Sequence, residues 1–457
     1  MSFNRPMKQT KTRHEIEKRP ARITKSVSLP KFIVSRLEQS IVQNPPSFNF
    51  NKQLAFFFLH LIAVRRFTDP ECDEYFEGFV TLDAFLLEHY SYSYRKYFKY
   101  FTDWGIIEKR NYSTDKHRAN SFRFIYDSNE DYTAFVEVDL SNLKKLKNFE
   151  VFEKFNGKPE KCPHLVKWFY EGLSIEYETA IAEAQTEEHF LKRQSYLLGI
   201  EKIKNKEYWF TRNSKSDNRL HTPLTNLAKK IRPNLRFRGQ KLANFDIRCS
   251  QPYFLVVLIE EMYTSVHTLM FENVKDILYT KGFQEEYNRI KSWILKDDFY
   301  TKMAEELFNG EEILLERTEW SGKGKTKEMK KVIYDNEREL TKKLILRLFY
   351  IDTNSHQYKH DKDFKKFDTK FPQFSALLKE LKRENYKDLS RILQNKEAYC
   401  ILDIITQRLT QIYPKMPLFT IHDSILTTER WAERTNLGTL IQTMMLEANG
   451  VKPQINS

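Results

Sequence analysis

The stretch Lys241-Leu242-Ala243-Asn244-Phe245-Asp246-Ile247-Arg248-Cys249-Ser250-Gln251-Pro252, running on into Tyr253-Phe254-Leu255-Val256-Val257-Leu258-Ile259, decides how this chain is read. It predicts a short strand ending near Asp246 and then a strongly apolar helix, so that a carboxylate faces a site while its neighbours fill the core. A second stretch has the same logic. Leu418-Phe419-Thr420-Ile421-His422-Asp423-Ser424-Ile425-Leu426-Thr427-Thr428-Glu429 reads as two short strands meeting in a hairpin with an aspartate at its tip. Two lone carboxylates at strand ends are the oxygen ligands that a pair of hard Mg2+ ions requires, and such a pair activates a 3′-hydroxyl and stabilises a leaving pyrophosphate. Asp246 and Asp423 are therefore the expected catalytic and metal-binding residues.

Between them Arg338, Lys342, Leu346 and Tyr350 recur every four residues. That spacing puts them on one slowly drifting helix stripe. Two cations at one end and an aromatic ring at the other would hold a triphosphate by charge and stack a base.

The composition agrees with a polyanionic partner. Lys plus Arg number 75 against 62 Asp plus Glu, a formal charge of +13 on a 457-residue chain that is 40 % hydrophobic. The length suggests two to four domains. Residues 1–26 carry Arg5, Lys8, Lys11, Arg13, Lys18, Arg19, Arg22 and Lys25 against only Glu15 and Glu17, so residues 1–50 are expected to be a basic, partly disordered arm. Cys72, Cys162, Cys249 and Cys400 lie far apart, which indicates neither a zinc ribbon nor a disulfide scaffold and fits a reducing compartment. The longest apolar run, Leu54 to Val64, contains His60 and falls far short of the roughly 20 residues of a membrane span. With no apolar signal segment at the basic N-terminus, a cytoplasmic protein without a membrane partner is expected.

Twelve glycines leave little room for phosphate-binding loops. Gly324-Lys325-Thr326 resembles the end of a Walker A loop, but Glu319 stands where its first glycine would be. His356, His360 and Asp361 have metal-ligand spacing within a charged run that reads as a solvated segment.

Residues 51–130 read as three helices followed by two strands, the winged-helix order. Arg95, Lys96 and Lys99 are expected on the exposed face of the third helix, and Lys109, Arg110, Lys116, His117 and Arg118 in the wing, where phosphate contacts are usual. Residues 131–205 read as a helical connector or thumb-like region, and residues 206–457 as the part carrying the chemistry.

In that part the three clusters resemble motifs A, B and C of family A DNA polymerases, and the fingers-helix spacing and the His-Asp hairpin also resemble phage-type single-subunit RNA polymerases. Arg219-Leu220-His221-Thr222-Pro223-Leu224-Thr225-Asn226-Leu227 is similar to the family segment that approaches the primer-template minor groove. Asp298-Phe299-Tyr300 with Ala304, and Gln394 within Leu393 to Ala398, resemble two further family segments. The resemblance implies an α+β fold with a right-hand palm and fingers and an antiparallel palm sheet. It further implies nucleotide contacts from Arg338, Lys342, Tyr350 and Gln251, and nucleic-acid contacts from Arg219, Asn226, Gln394 and His422.

The chain departs from the pattern in places. Gln251 stands where the DNA polymerases carry Glu and the RNA polymerases Gly, Ser424 follows the hairpin aspartate as in the RNA polymerases, Leu346 is usually aromatic, and an added Lys-rich stretch runs from Glu319 to Lys331. No carboxylate set for a proofreading exonuclease is evident in the first 200 residues. The function implied is a template-directed DNA polymerase without proofreading, acting with two Mg2+ ions on template, primer and nucleoside triphosphates. A single-subunit RNA polymerase or primase is one alternative, and a non-catalytic winged-helix replication or regulatory protein another.

Overall fold

A computed structural model describes residues 26–68, 78–82, 84–111, 120–126, 134–140, 143, 162–264, 272–308, 315–321 and 328–456. The arm's cationic cluster, Lys116, His117 and Arg118, and Gly324-Lys325-Thr326 lie outside the described residues. The fold is α+β with antiparallel sheets. Its strands are β1 Ser26–Pro30, β2 Val80–Thr81, β3 Ile107–Arg110, β4 Ser121–Phe124, β5 Phe135–Asp139, β6 Leu173–Ile175, β7 Leu235–Phe237, β8 Gln240–Ile247, β9 Glu316–Ser321, β10 Glu328–Ile333, β11 Phe419–Ile421, β12 Ser424–Thr428 and β13 Ile455–Asn456.

The front of the chain forms its own apolar core. Helices α1 Lys31–Gln43, α2 Lys52–Thr68, α3 Ala84–Tyr90 and α4 Tyr94–Asp103 pack beside a sheet of order β2-β4-β3. In α4 the aromatics Tyr94, Tyr97, Phe98, Tyr100 and Phe101 recur at helical spacing and are buried, which turns Arg95, Lys96 and Lys99 outward. Gly105, at φ +65°, then turns the chain so that Ile106 and Ile107 enter the core.

Two expectations need correction here. Residues 26–43, assigned to the arm, form β1 and α1, because Val27, Leu29, Phe32, Ile33 and Leu37 bury an apolar face that a solvated arm would lack. The connector, expected to be helical, contributes strand β5, which pairs antiparallel with β1.

A second and larger core runs from Cys162 to Val451. The Phe190–Lys204 helix joins the two: Leu198 belongs to the first core, while Leu197, Ile200 and Ile203 belong to the second. A polar seam lies beside this helix. Glu207 accepts hydrogen bonds from Ser28 N and Oγ at 3.3 and 3.0 Å, and His60 Nδ1 lies 3.3 Å from the Ser28 carbonyl oxygen. Burial pushes His60 down to about 3 and Lys202 down to about 8, and it raises Glu207.

The main sheet has the order β11-β12-β8-β7-β6, with β13 also on β8. Strand β12 runs along β8 from Ser424↔Asp246 to Thr428↔Leu242. On the other edge of β8, β7 pairs at its start and β13 at its end. Arg238 and Gly239, at φ +48° and +78°, make the two-residue turn between β7 and β8, the backbone hand that a tight hairpin needs. The Ser250–Thr264 helix follows β8 and is buried over most of its length. The Lys-rich insertion is built as the β9–β10 hairpin, tied down where Arg317 meets Asp363 at 2.8 Å.

Candidate active site

Asp246 lies next to the last residue of β8 and faces Ser424 across the β8–β12 ladder. Ser424 Oγ donates to Asp246 Oδ1 at 2.9 Å, and Asp423 is the residue before Ser424, in the two-residue turn that joins β11 to β12. The ladder therefore brings the two predicted aspartates, 177 positions apart in sequence, to neighbouring strand ends. Both are half-buried.

The backbone is unusual beside each of them. His422 closes the hairpin at φ +54°, and Cys249, also at φ +54°, turns the chain from β8 into the following helix. A left-handed conformation costs a non-glycine residue about 1–2 kcal/mol, a cost that functional sites often carry.

Asp423 is pushed up to about 7, first by burial, then by the negative charges of Glu397 and Asp246, with Arg219 acting in the opposite sense. Among the described residues neither Asp246 nor Asp423 forms an ion pair, and no group of three or more His, Cys, Asp or Glu is arranged to hold a metal ion. The donor set nevertheless suits a hard divalent cation, which takes oxygen ligands: two neighbouring carboxylates whose repulsion no adjacent cation relieves, with phosphate and water oxygens to complete the coordination. His422 is pushed down to about 4 by burial and by Arg219, His221 and Arg232, and its Nδ1 is buried without a hydrogen-bond partner.

Behind the aspartates lies a residue that the sequence reading did not single out. Glu397 is 1 % exposed and accepts from Arg219 Nε at 2.7 Å, Ser250 Oγ at 2.8 Å and Gln251 Nε2 at 2.7 Å. Two expected roles are altered by this. Arg219, expected at nucleic acid, is paired to Glu397 at 2.6 Å with its side chain 17 % exposed, and Gln251, expected at the nucleotide, is 7 % exposed with its amide nitrogen spent on the same carboxylate. A signal for Glu397 did exist. Leu389, Leu393 and Glu397 are spaced by four along the buried face of the Asp388–Ala398 helix, so a charge stands where the pattern calls for a third apolar residue.

The predicted stripe lies on the Glu337–Tyr350 helix. Arg338, Lys342 and Tyr350 are 38, 45 and 42 % exposed, and the Tyr350 hydroxyl accepts from Gln394 Nε2 at 3.1 Å. Arg338 is linked to the sheet through Asp298, a second residue whose role the sequence reading missed. Asp298 Oδ2 takes Arg338 Nε at 3.1 Å and Arg248 Nη2 at 2.8 Å, while Oδ1 accepts from the Thr301 amide at 3.2 Å at the start of the Phe299–Phe308 helix. Asn226 is half-buried at the end of the short Pro223–Asn226 helix.

The front unit's cations are engaged close to its surface. Arg95 meets Glu88 at 3.2 Å, Lys99 meets Asp103 at 2.8 Å, and Arg110 lies over the Phe79 ring at 3.9 Å. His356 and His360 stack their rings 4.0 Å apart on an exposed turn of helix, and Asp361 beside them pairs with Arg347. Among the described residues no helix is long and apolar enough to cross a membrane.

No family model matches this sequence, and no curated protein matches it. Among solved structures the chain is similar to the POL domain of Pol1 from M. smegmatis in complex with DNA primer-template and dNTP, at a TM-score of 0.40 and 10 % identity over 70 % of this chain and 72 % of that one. A likeness this slight carries no argument about function.

Proposed function

We propose that the chain is a template-directed nucleotidyltransferase, a DNA polymerase without a proofreading exonuclease, in which a winged-helix-like unit precedes a palm and fingers of the family A type. The observation that carries this reading is the β8–β12 register, which seats Asp246 and Asp423 at adjoining strand ends with the Ser424 hydroxyl on Asp246.

In this reading Asp246 and Asp423 hold two Mg2+ ions. When bound, the ions lower the barrier to attack of a 3′-hydroxyl on the α-phosphate and offset the charge that develops on pyrophosphate. The chain's own groups do the rest. Ser424 fixes the rotamer of Asp246. Arg338 and Lys342 bind the triphosphate, Arg338 exchanging the Asp298 carboxylate for phosphate oxygens, and Tyr350 offers its ring to the base. Arg95, Lys96, Lys99 and Arg110 meet template phosphates from the front unit.

Primer extension on a defined template, with deoxynucleotides and ribonucleotides supplied separately, tests the proposal. Metal-dependent addition that is lost in Asp246→Asn is expected. Addition of ribonucleotides alone would move the reading to RNA synthesis, and no addition of either would refute it.

A further inference from the structure

A carboxylate as deeply buried as Glu397 needs its lone pairs answered. Its Oε1 accepts both Arg219 Nε and Arg219 Nη2, at 2.7 and 2.6 Å, and its Oε2 accepts Ser250 Oγ and Gln251 Nε2, at 2.8 and 2.7 Å. An ionised carboxylate can only accept, so Gln251 must turn its amide nitrogen toward Glu397, which leaves the Gln251 carbonyl oxygen buried without a partner. Three segments converge on this one side chain: the loop carrying Arg219, the first turn after the Asp246 strand, and the Asp388–Ala398 helix.

The contrast with the neighbouring carboxylates is informative. Glu397 has an arginine of its own, whereas among the described residues Asp246 and Asp423 have none, although the Arg219 charge acts on Asp423. A guanidinium at this depth seeks a carboxylate. If Glu397 did not hold it, Asp423 is the one on which its charge already acts.

We infer that Glu397 is a positioning residue that acts through Arg219: by holding the guanidinium, it keeps that charge off Asp246 and Asp423 and leaves the two carboxylates open to divalent cations. This rests on the reading of Asp246 and Asp423 as the ion site. In Glu397→Gln the isosteric amide keeps a hydrogen-bond acceptor but loses the charge, and Arg219 then neutralises the aspartates in competition with the metal.

The test is a Mn2+ titration of the full chain without nucleic acid or nucleotide, with free Mn2+ read by electron paramagnetic resonance. Glu397→Gln is expected to weaken Mn2+ binding by about fivefold or more, equivalent to about 1 kcal/mol. Adding Arg219→Ala to it should restore affinity to within about twofold of the wild type, a rescue that loss of packing alone would not give. Arg219→Ala by itself leaves the Glu397 charge uncompensated beside the aspartates and should tighten Mn2+ binding. That variant decides the matter by its direction if Glu397→Gln fails to fold. Wild-type affinity in Glu397→Gln, absence of rescue, or weaker binding in Arg219→Ala overturns the proposal and leaves the ion site standing. Wild-type affinity in Asp246→Asn overturns the ion-site reading, and the proposal with it.

Discussion

The two cores of this molecule use their cations in opposite ways. In the front unit Arg95 and Lys99 are each 75 % exposed, and their carboxylate partners also stand in water. Pairs of this kind contribute little and exchange readily for other anions. Around the main sheet the arginines are committed: Arg212 is 8 % exposed against Asp403, Arg236 is 9 % exposed against Glu176, and Arg219 is 17 % exposed against Glu397. Removing one partner of a buried pair leaves a charge uncompensated, and the cost is large. Similar side chains therefore serve as replaceable phosphate ligands in one region and as fixed braces in the other.

That comparison can be broken at several points. The largest effect is expected from Asp246→Asn or Asp423→Asn, which should lower nucleotide incorporation about a thousandfold or more while leaving DNA binding within about twofold, since each removes a metal-ligand charge and no binding surface. Single-turnover extension and a DNA titration measure the two quantities. Arg212→Ala comes next. Its Nη1 and Nη2 both reach Asp403, at 2.7 and 2.5 Å, so its loss should lower stability by about 3 kcal/mol in urea unfolding. A change no larger than that of a surface substitution would erase the distinction between brace and ligand.

Arg338→Ala and Lys342→Ala should each raise the nucleotide Michaelis constant by about tenfold, roughly 1.4 kcal/mol. Steady-state kinetics with no change in either variant would remove the helix from the site. A smaller effect concerns Asp423 without divalent ions. Its folded pKa lies above its ordinary value, so the folded state binds the proton more tightly. Stability is then greatest below about pH 4 and declines as the pH rises to about 7. Asp423→Asn should abolish that decline and be the more stable protein at pH 8, by about 1 kcal/mol once partial solvation is allowed for. Thermal melts in chelator across this range check it. The smallest effect on folding belongs to the triple substitution of Arg95, Lys96 and Lys99 by Ala. It should leave the unfolding midpoint in place yet reduce the slope of log affinity for duplex DNA against log salt, by about 0.9 for every phosphate no longer neutralised. An unchanged slope would mean that this face does not grip DNA.

Much of this was legible in the sequence because it is local. Hydrophobic alternation around Asp246 and Asp423, the four-residue stripe from Arg338 to Tyr350, and the aromatic spacing of α4 are short-range patterns tied to strand and helix periods. What escaped the reading depends on pairing between distant segments. The Ser424↔Asp246 register, the Arg219–Glu397–Gln251 convergence and the Asp298 link to Arg338 join residues 40 to 178 positions apart, and no periodicity records such partners. Strand β5 was hidden for the same reason: Phe135 to Asp139 is stabilised by β1, whose own residues read as part of a charged tail. Residues of one chemical type also change role with depth, which is why Arg219 and Arg95 were read alike.

Strand β13 has a consequence for how the molecule is made. Ile455 and Asn456 pair with Ile247 and Asp246, so one edge of the central strand stays unfilled until a segment about 200 positions downstream has left the ribosome. At roughly 5–20 residues per second that interval is on the order of tens of seconds. Through it the Asp246 end of β8 waits with unpaired backbone groups, a template for pairing with another nascent chain. The front unit has its own core and can form earlier. The β8 edge is thus the place where slow or stalled translation would turn a folding intermediate into an aggregate, and yield in the cell should fall first with substitutions that weaken the Gln454 anchor of Arg248, which seats β13.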